Sequence, residues 1–73
     1  MVARLEDRTG GLLRFDTALS RLRREYPRSA QIVDLRVYAE LTVKEVARVL
    51  DTSVRSVERE WTFAKAWLKA ELE

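Results

Sequence analysis

The residues best suited to chemistry are arginines in the last third of the chain. Arg55 and Arg59 stand four residues apart and Thr62 follows three later, so all three share one face of a helix. The opposite face is apolar and carries Val57, Trp61, Ala64 and Leu68. Because a guanidinium group donates a planar fork of hydrogen bonds, it suits phosphate oxygens and the acceptor edge of guanine. Eleven of the 14 basic residues are arginine and the net charge is +2, which permits nucleic-acid binding without requiring it.

Composition excludes most other chemistry. The chain has no cysteine and no histidine, which removes disulfides, Cys/His zinc sites, thiol nucleophiles and histidine bases. Its 73 residues make one domain with little room for a deep substrate pocket beside the core. The remaining acidic residues form no acid/base pair and are expected in surface salt bridges: Glu25, Asp34, Glu60, Glu71 and Glu73. We therefore expect no enzyme, no cofactor and no metal.

Hydropathy indicates the cellular compartment, and the distribution of charge shows which half of the chain is more basic. No apolar run approaches the roughly 20 residues of a membrane span, and the first residues lack the apolar segment of a signal peptide. These features predict a cytoplasmic protein. Residues 1–37 carry 8 basic and 5 acidic groups, whereas residues 38–73 carry 6 basic and 7 acidic groups. The half that contains Arg55 and Arg59 is therefore the less basic one.

The spacing of apolar residues predicts an all-α fold of about four helices. The first helix has Asp16 near its N-cap and ends before Pro27, which also suits the first turn of the next helix. Its inward face carries Phe15, Leu19, Leu22 and Tyr26. The second helix is apolar on two stripes, one with Ala30, Val33 and Val37 and the other with Ile32, Leu35 and Ala39. Thr9-Gly10-Gly11 separates a flexible arm or linker, residues 1–11, from a domain over residues 12–73.

The last two helices match a helix-turn-helix. Thr42 and Glu45 form a capping box for a third helix that runs to about Leu50, and Ser53 caps a long fourth helix. Ala47 supplies the small residue that lets the two helices approach closely. The wedge between them is predicted to contain Val46, Leu50, Val54 and Val57. The same spacing is as typical of an ordinary αα-corner as of a DNA-binding unit.

Five stretches in order carry a more specific signal: Phe15–Leu19, Pro27–Arg36, Leu41–Leu50, Ser53–Trp61 and Phe63–Leu68. Together they resemble region 4 of bacterial sigma factors, particularly those of the extracytoplasmic-function (ECF) group, over about Leu12 to Leu72. The helix-turn-helix of LuxR-type regulators shares the middle third. The ending from Trp61 to Leu68 is more similar to the sigma factors.

The resemblance implies that the start of the last helix reads the minus-35 element of double-stranded promoter DNA, and that the domain docks on the β flap of RNA polymerase. Anti-sigma factors are further candidate partners. Carried over by position, the base-reading candidates are Arg55, Ser56, Glu58, Arg59 and Thr62, with Glu58 on the flank of the face. The phosphate-contacting candidates are Thr42, Lys44, Arg48, Ser53 and Lys65. The implied setting is bacterial transcription initiation in the cytoplasm, in association with the nucleoid.

Three departures distinguish this chain from the family pattern. Glu40 and Asp51 stand where the family commonly has glycine, and a left-handed backbone there would cost Glu about 1 kcal/mol. Glu58 stands where the family usually has a basic residue, and its carboxylate repels phosphate unless it accepts from a cytosine N4. No region 2 precedes the domain, so we expect an excised domain, a truncated paralogue or an adaptor.

A protein-interaction module with the same fold, without DNA affinity, is the alternative function. Phe63 and Trp67 lie on a second stripe, which either packs on the first helix or offers an apolar surface to polymerase, an anti-sigma factor or a second copy. A homodimer is thus among the alternatives. Trp61 is expected in the core, and Arg21, Arg23 and Arg24 on a solvated helix face.

Overall fold

A computed structural model describes the backbone of residues 2–73 and the side chains of residues 14–73. The elements are α1 (Val2–Glu25), α2 (Pro27–Val33), a π-helical segment (Asp34–Tyr38), α3 (Val43–Val49) and α4 (Val54–Leu72). Residues 2–73 contain no strand. The prediction of an all-α fold with four helices is confirmed.

Helix α1 begins earlier than the sequence pattern predicts. It is continuous from Val2 to Glu25, so Gly10, Gly11 and Asp16 lie inside it and Asp16 is not an N-cap residue. Each helical glycine costs only about 1 kcal/mol relative to alanine, which a long helix tolerates. The division of the chain into an arm over residues 1–11 and a domain over 12–73 stays a prediction.

Pro27 separates α1 from α2, as predicted. It occupies the first turn of α2, where its missing N–H is not needed. The preceding Tyr26 donates its backbone N–H to the Leu22 carbonyl at 2.6 Å and closes α1. The prediction that Tyr26 faces the core is wrong, because its side chain is 45% exposed.

The segment after α2 is a π-helix rather than a continuation of the α-helix. The Ala39 N–H donates to the Asp34 carbonyl at 3.1 Å, which is the i→i+5 pattern of a π-helix. The wider turn rotates later side chains away from the stripes drawn for an α-helix. Val37, 44% exposed, and Ala39 therefore face solvent instead of the core, whereas Leu35 stays half-buried.

Two apolar clusters hold the helices together. The first joins α1, α2 and α4 and contains Ala18, Leu19, Leu22, Ala30, Val33, Ala64 and Leu68. The second joins α2, α3 and α4 and contains Ile32, Val46, Ala47 and Val57. Half-buried Trp61 packs against both clusters, which agrees with its expected place in the core. No helix within residues 2–73 combines the length and the hydropathy needed to cross a bilayer.

The capping box at the start of α3 is confirmed. The Thr42 N–H donates to Glu45 Oε1 at 2.9 Å, and the Glu45 N–H donates to Thr42 Oγ1 at 3.1 Å. The hydrogen bond from the Thr42 backbone, then that of its side chain and the positive charge of Arg48, lower the pKa of the Glu45 carboxyl. The ionised carboxylate is thus the form that stabilises the folded state.

The lowered pKa predicts a pH dependence of stability that Glu45→Gln removes, because glutamine keeps the capping geometry without titrating. The folded-state pKa lies below the ordinary value of 4.5, so the contribution of Glu45 is complete above that value and is lost as pH falls through the folded-state pKa. Urea unfolding of both proteins across this range measures it. We expect the stability advantage of the wild type over the variant to shrink with acidification; an advantage that is constant with pH would contradict the prediction.

Candidate nucleic-acid interface

Helices α3 and α4 are joined by a short connection, residues 50–53. Asp51 adopts a left-handed conformation with φ of 52°, and the Thr52 N–H donates to the Ala47 carbonyl at 2.9 Å. Ser53 then caps α4 by accepting the Ser56 N–H at 3.1 Å, as predicted. The two helices and the connection follow in the order expected for a helix-turn-helix. The insertion of α4 into a DNA groove stays a prediction.

The contact between α3 and α4 is built from small and branched residues. Val46, Ala47 and Val57 are buried there, and Leu50 is half-buried against them. Val54 was expected in the same wedge, but it is 36% exposed because it starts α4 beyond the end of the packed contact. Ala47, the small residue predicted for this contact, is thus buried between the two helices and the rest of the second cluster.

The predicted base-reading residues lie on the outer face of α4. Arg55, Glu58, Arg59 and Thr62 are exposed, and none of these charged groups forms an ion pair with another described side chain. Ser56 differs, because it is half-buried and its Oγ accepts a hydrogen bond from Ser53 Oγ at 2.9 Å. The structure thus brings together the two arginines and Thr62 and places Ser56 in the cap of the helix.

The predicted phosphate-contacting residues are all exposed, and they lie on α3, at the caps and on the flank of α4: Thr42, Lys44, Arg48, Ser53 and Lys65. The hydroxyls of Thr42 and Ser53 accept backbone N–H groups at the starts of α3 and α4. Lys65 Nζ lies 5.3 Å from the centroid of the Trp61 ring, within range of a cation–π interaction. The cations Lys44 and Arg48 remain unpaired among the described side chains.

Ion pairs turn two acidic residues of α4 away from its outer face. Arg28 Nε lies 3.3 Å from Glu60 Oε2, and Arg21 Nη1 donates to Glu71 Oε2 at 2.8 Å, on the sides that pack against α2 and α1. Glu58 is therefore the acidic residue of α4 that has no ion pair within residues 14–73. The net charge of the outer face is more positive than a sum over the whole helix indicates.

The predicted surface salt bridges form for three of the acidic residues. Besides Glu60 and Glu71, Asp34 pairs with Arg23, whose Nη2 lies 3.1 Å from Oδ2. Arg21, Arg23 and Arg24 are exposed, as a solvated helix face requires, but the first two also connect α1 to distant elements. Exposed pairs of this kind contribute about 0–1 kcal/mol each, so their main effect is on where charge lies.

Sequence reasoning missed the role of Arg36. Its Nη1 donates to the Leu41 carbonyl at 2.8 Å, and its Cζ lies 5.2 Å from the centroid of the Trp61 ring. Its Nε is buried without a hydrogen-bond partner among the described residues. No local pattern in the sequence indicates these contacts, because they depend on the π-helical turn that Arg36 occupies.

An exposed aromatic pair lies on another side of α4. Phe63, 39% exposed, meets Tyr26 edge to face, with ring centroids 4.8 Å apart and planes at 71°. Trp67 is half-buried and packs against the first cluster. The choice between packing on the first helix and offering an apolar surface to a partner stays a prediction for Trp67, and Tyr26 lies beside Phe63 on the surface.

A comparison with protein families is decisive for the kind of protein. A family model described as ECF sigma factor matches residues 3–73. The chain belongs to the ECF sigma factor family. Comparison with curated proteins and with solved structures found no significant match. The match begins before Leu12, where the resemblance in the sequence began, and thus includes most of the predicted arm.

Membership of the family gives the coarse role of the protein. ECF sigma factors are transcription factors rather than enzymes, and they act in transcription initiation, in the cytoplasm, with RNA polymerase and promoter DNA. In this ECF sigma factor chain, α4 presents two exposed arginines that form no ion pair with another described side chain, and α3 carries two further basic residues of the same kind. The surface therefore has the residue types that contact with a polyanion needs.

Proposed function

We propose that this domain binds a minus-35-type promoter element through the outer face of α4 while it docks on the β flap of RNA polymerase. The observation that carries the proposal is the unpaired pair Arg55 and Arg59 on one exposed stripe, with Glu60 and Glu71 engaged elsewhere. Two guanidinium forks one helical turn apart can reach acceptors on different base pairs in a major groove. Binding of this kind would associate the protein with the nucleoid.

The roles divide between specificity and positioning. Arg55 and Arg59 donate to guanine O6 and N7, and Thr62 extends the same stripe. Glu58 accepts from a cytosine N4 where one is present and repels phosphate where none is. Ser56 acts mainly through the cap of α4. Backbone contacts come from the exposed groups at both ends of α3, at the start of α4 and on its flank, namely Thr42, Lys44, Arg48, Ser53 and Lys65.

The affinity of the isolated domain is expected to be modest. Glu58 lies among the basic groups, and few cations contact the backbone, so we expect a Kd no tighter than about 1 μM at physiological salt. Simultaneous docking on polymerase raises the effective concentration of the domain at the promoter, which compensates for weak intrinsic binding. The domain then selects the element while polymerase supplies most of the residence time.

Fluorescence anisotropy with the whole chain tests the proposal. Duplexes with minus-35-like and scrambled sequences are titrated over a range of salt concentrations. We expect saturable binding that prefers the minus-35-like duplex and whose log K falls linearly with log salt. Absence of binding at the lowest salt concentration would refute DNA recognition by this domain.

A second function, a protein-interaction module, is favoured by one observation, the exposed Tyr26–Phe63 pair. Edge-to-face aromatics at a surface offer apolar area at low conformational-entropy cost. The partner would be RNA polymerase, an anti-sigma factor or, in a homodimer, a second copy of the chain. If no duplex binds, Phe63→Ser is the first variant to compare with the wild type in polymerase binding and in sedimentation.

A further inference from the structure

The junction between α2 and α3 concentrates unusual conformations in a few residues. The π-helical segment covers Asp34–Tyr38, and Glu40 is left-handed with φ of 56°. Such conformations cost free energy and persist only where surrounding contacts hold them. Arg36 lies inside this junction and is half-buried.

Both backbone polar groups of Leu41 are held by this junction. Its N–H donates to the Leu35 carbonyl at 3.0 Å, and its carbonyl accepts from Arg36 Nη1 at 2.8 Å. Leu41 directly precedes Thr42, the N-cap of α3. The start of α3 is therefore fixed by contacts that include the Arg36 side chain.

The same guanidinium also contacts α4. Arg36 Cζ lies 5.2 Å from the centroid of Trp61, two residues after Arg59 on α4. A planar guanidinium can lie against a ring and donate in its own plane at the same time, whereas an ammonium offers one point charge. The buried Nε, which has no partner among the described residues, contributes no bond, so the ring and the Leu41 carbonyl set the position of Arg36.

We propose that Arg36 is a positioning residue that ties the start of α3 to α4, and so places the phosphate-contacting end of α3 at the correct distance from the base-reading arginines. The DNA-related part of this inference rests on the proposed function. Arg36 itself need not touch DNA. Its effect is exerted through the location of Thr42 and Lys44, which follow Leu41 at the exposed start of α3.

The first experiment is a double-mutant cycle in DNA binding with Arg36→Lys and Lys44→Gln. Arg36→Lys keeps the charge but loses the planar fork, and we expect affinity to fall about fivefold for minus-35-like and scrambled duplexes alike. Because Lys44 is then misplaced, Lys44→Gln should cost little in the Arg36→Lys background and more in the wild type. Arg55→Ala serves as the control, since its effect should be additive with that of Arg36→Lys.

Additive effects of the Arg36 and Lys44 substitutions, or wild-type affinity of Arg36→Lys, would overturn the proposal. A merely structural role would lower the fraction of folded protein without coupling to Lys44 in particular. Trp61→Phe provides a second variant, because its smaller ring weakens the cation–π contact. It should shift affinity in the same direction by a smaller factor.

Amide hydrogen exchange tests the positioning without DNA. In Arg36→Lys, exchange at Leu41 and Val46, whose N–H groups donate to Leu35 and Thr42, should accelerate. Exchange at Tyr26, which donates to Leu22, should not change. Unchanged exchange at Leu41 and Val46 would refute the proposal that Arg36 holds the start of α3 in place. Failure of the wild type to bind any duplex would instead refute the proposed function, while the exchange result still decides whether Arg36 holds the start of α3.

Discussion

Replacement of Arg55 or Arg59 by alanine is expected to reduce the preference for a minus-35-like duplex over a scrambled one, and replacement of both is expected to abolish it. A bidentate contact from arginine to guanine contributes about 1–3 kcal/mol of discrimination, which corresponds to a roughly 5- to 150-fold change in relative affinity for each residue. The two contacts serve different base pairs, so their effects should be nearly additive. Anisotropy titrations of the single and double variants at one salt concentration measure the preference directly.

Arg24→Ala is the matched control for lost charge. Arg24 is exposed on α1 and forms no ion pair with another described side chain, so its removal lowers the net charge without affecting α4. Because all three arginines are exposed, unfolding free energies should change by no more than about 0.5 kcal/mol. If Arg24→Ala reduces the sequence preference as much as Arg59→Ala does, α4 does not read bases.

Glu58→Lys is expected to strengthen DNA binding. The substitution replaces the acidic residue of α4 that has no ion pair within residues 14–73 by a cation on the edge of the base-reading face. One additional phosphate contact steepens the dependence of log K on log salt by about 0.9. We expect affinity for the scrambled duplex to rise by about tenfold near physiological salt, as one new phosphate contact and relieved repulsion imply.

Two further variants separate the effects of Glu58→Lys. Glu73→Lys makes the same change of charge at the end of the chain, where it should leave affinity nearly unaltered. Glu58→Gln removes the charge but keeps hydrogen-bonding capacity, so a loss of preference at one cytosine in this variant would identify the base that Glu58 contacts. Unchanged affinity of Glu58→Lys would mean that α4 does not face the groove as assigned.

Elements with local signals could be predicted from the sequence. The capping box of Thr42 and Glu45, the cap at Ser53 and the break at Pro27 each depend on residues within one helical turn of one another. The left-handed residues Glu40 and Asp51 were anticipated because the family commonly has glycine there. For the two caps and the break at Pro27, the determining interactions lie close together in the chain.

The π-helical segment could not be predicted in this way. If residues Asp34–Tyr38 continued the α-helix, the spacing of apolar residues would place Val37 in the core. In the π-helical turn, Val37 lies at the surface instead. The π-turn carries no sequence signature of its own, and the contacts made from it join residues far apart in the chain, such as Arg36 and Trp61. The same limit explains why the contacts of Arg36 were missed.

The sequence predicts which residues of the candidate site share one helix face, but not which of the charges on that helix are neutralised by ion pairs. Helical spacing alone placed Arg55, Arg59 and Thr62 together on the exposed side of α4. The sequence predicts a surface salt bridge for Glu60 but does not identify its partner. Its pairing with Arg28 is a contact between residues far apart in the chain, which only the fold reveals.

Left-handed residues on both sides of α3 concentrate backbone strain at the two ends of this short helix. Glu40 and Asp51 flank a helix of only seven residues, too short to be stable by itself. Each left-handed residue adds about 1 kcal/mol of strain that opening relieves. A ligand that binds the folded form of α3 opposes its opening, so its apparent affinity depends on the local stability of α3. Binding that is coupled to the folding of α3 gives a more negative heat-capacity change than burial of the interface alone. The temperature at which the complex dissociates then depends on the stability of α3 as well as on the contacts with the ligand.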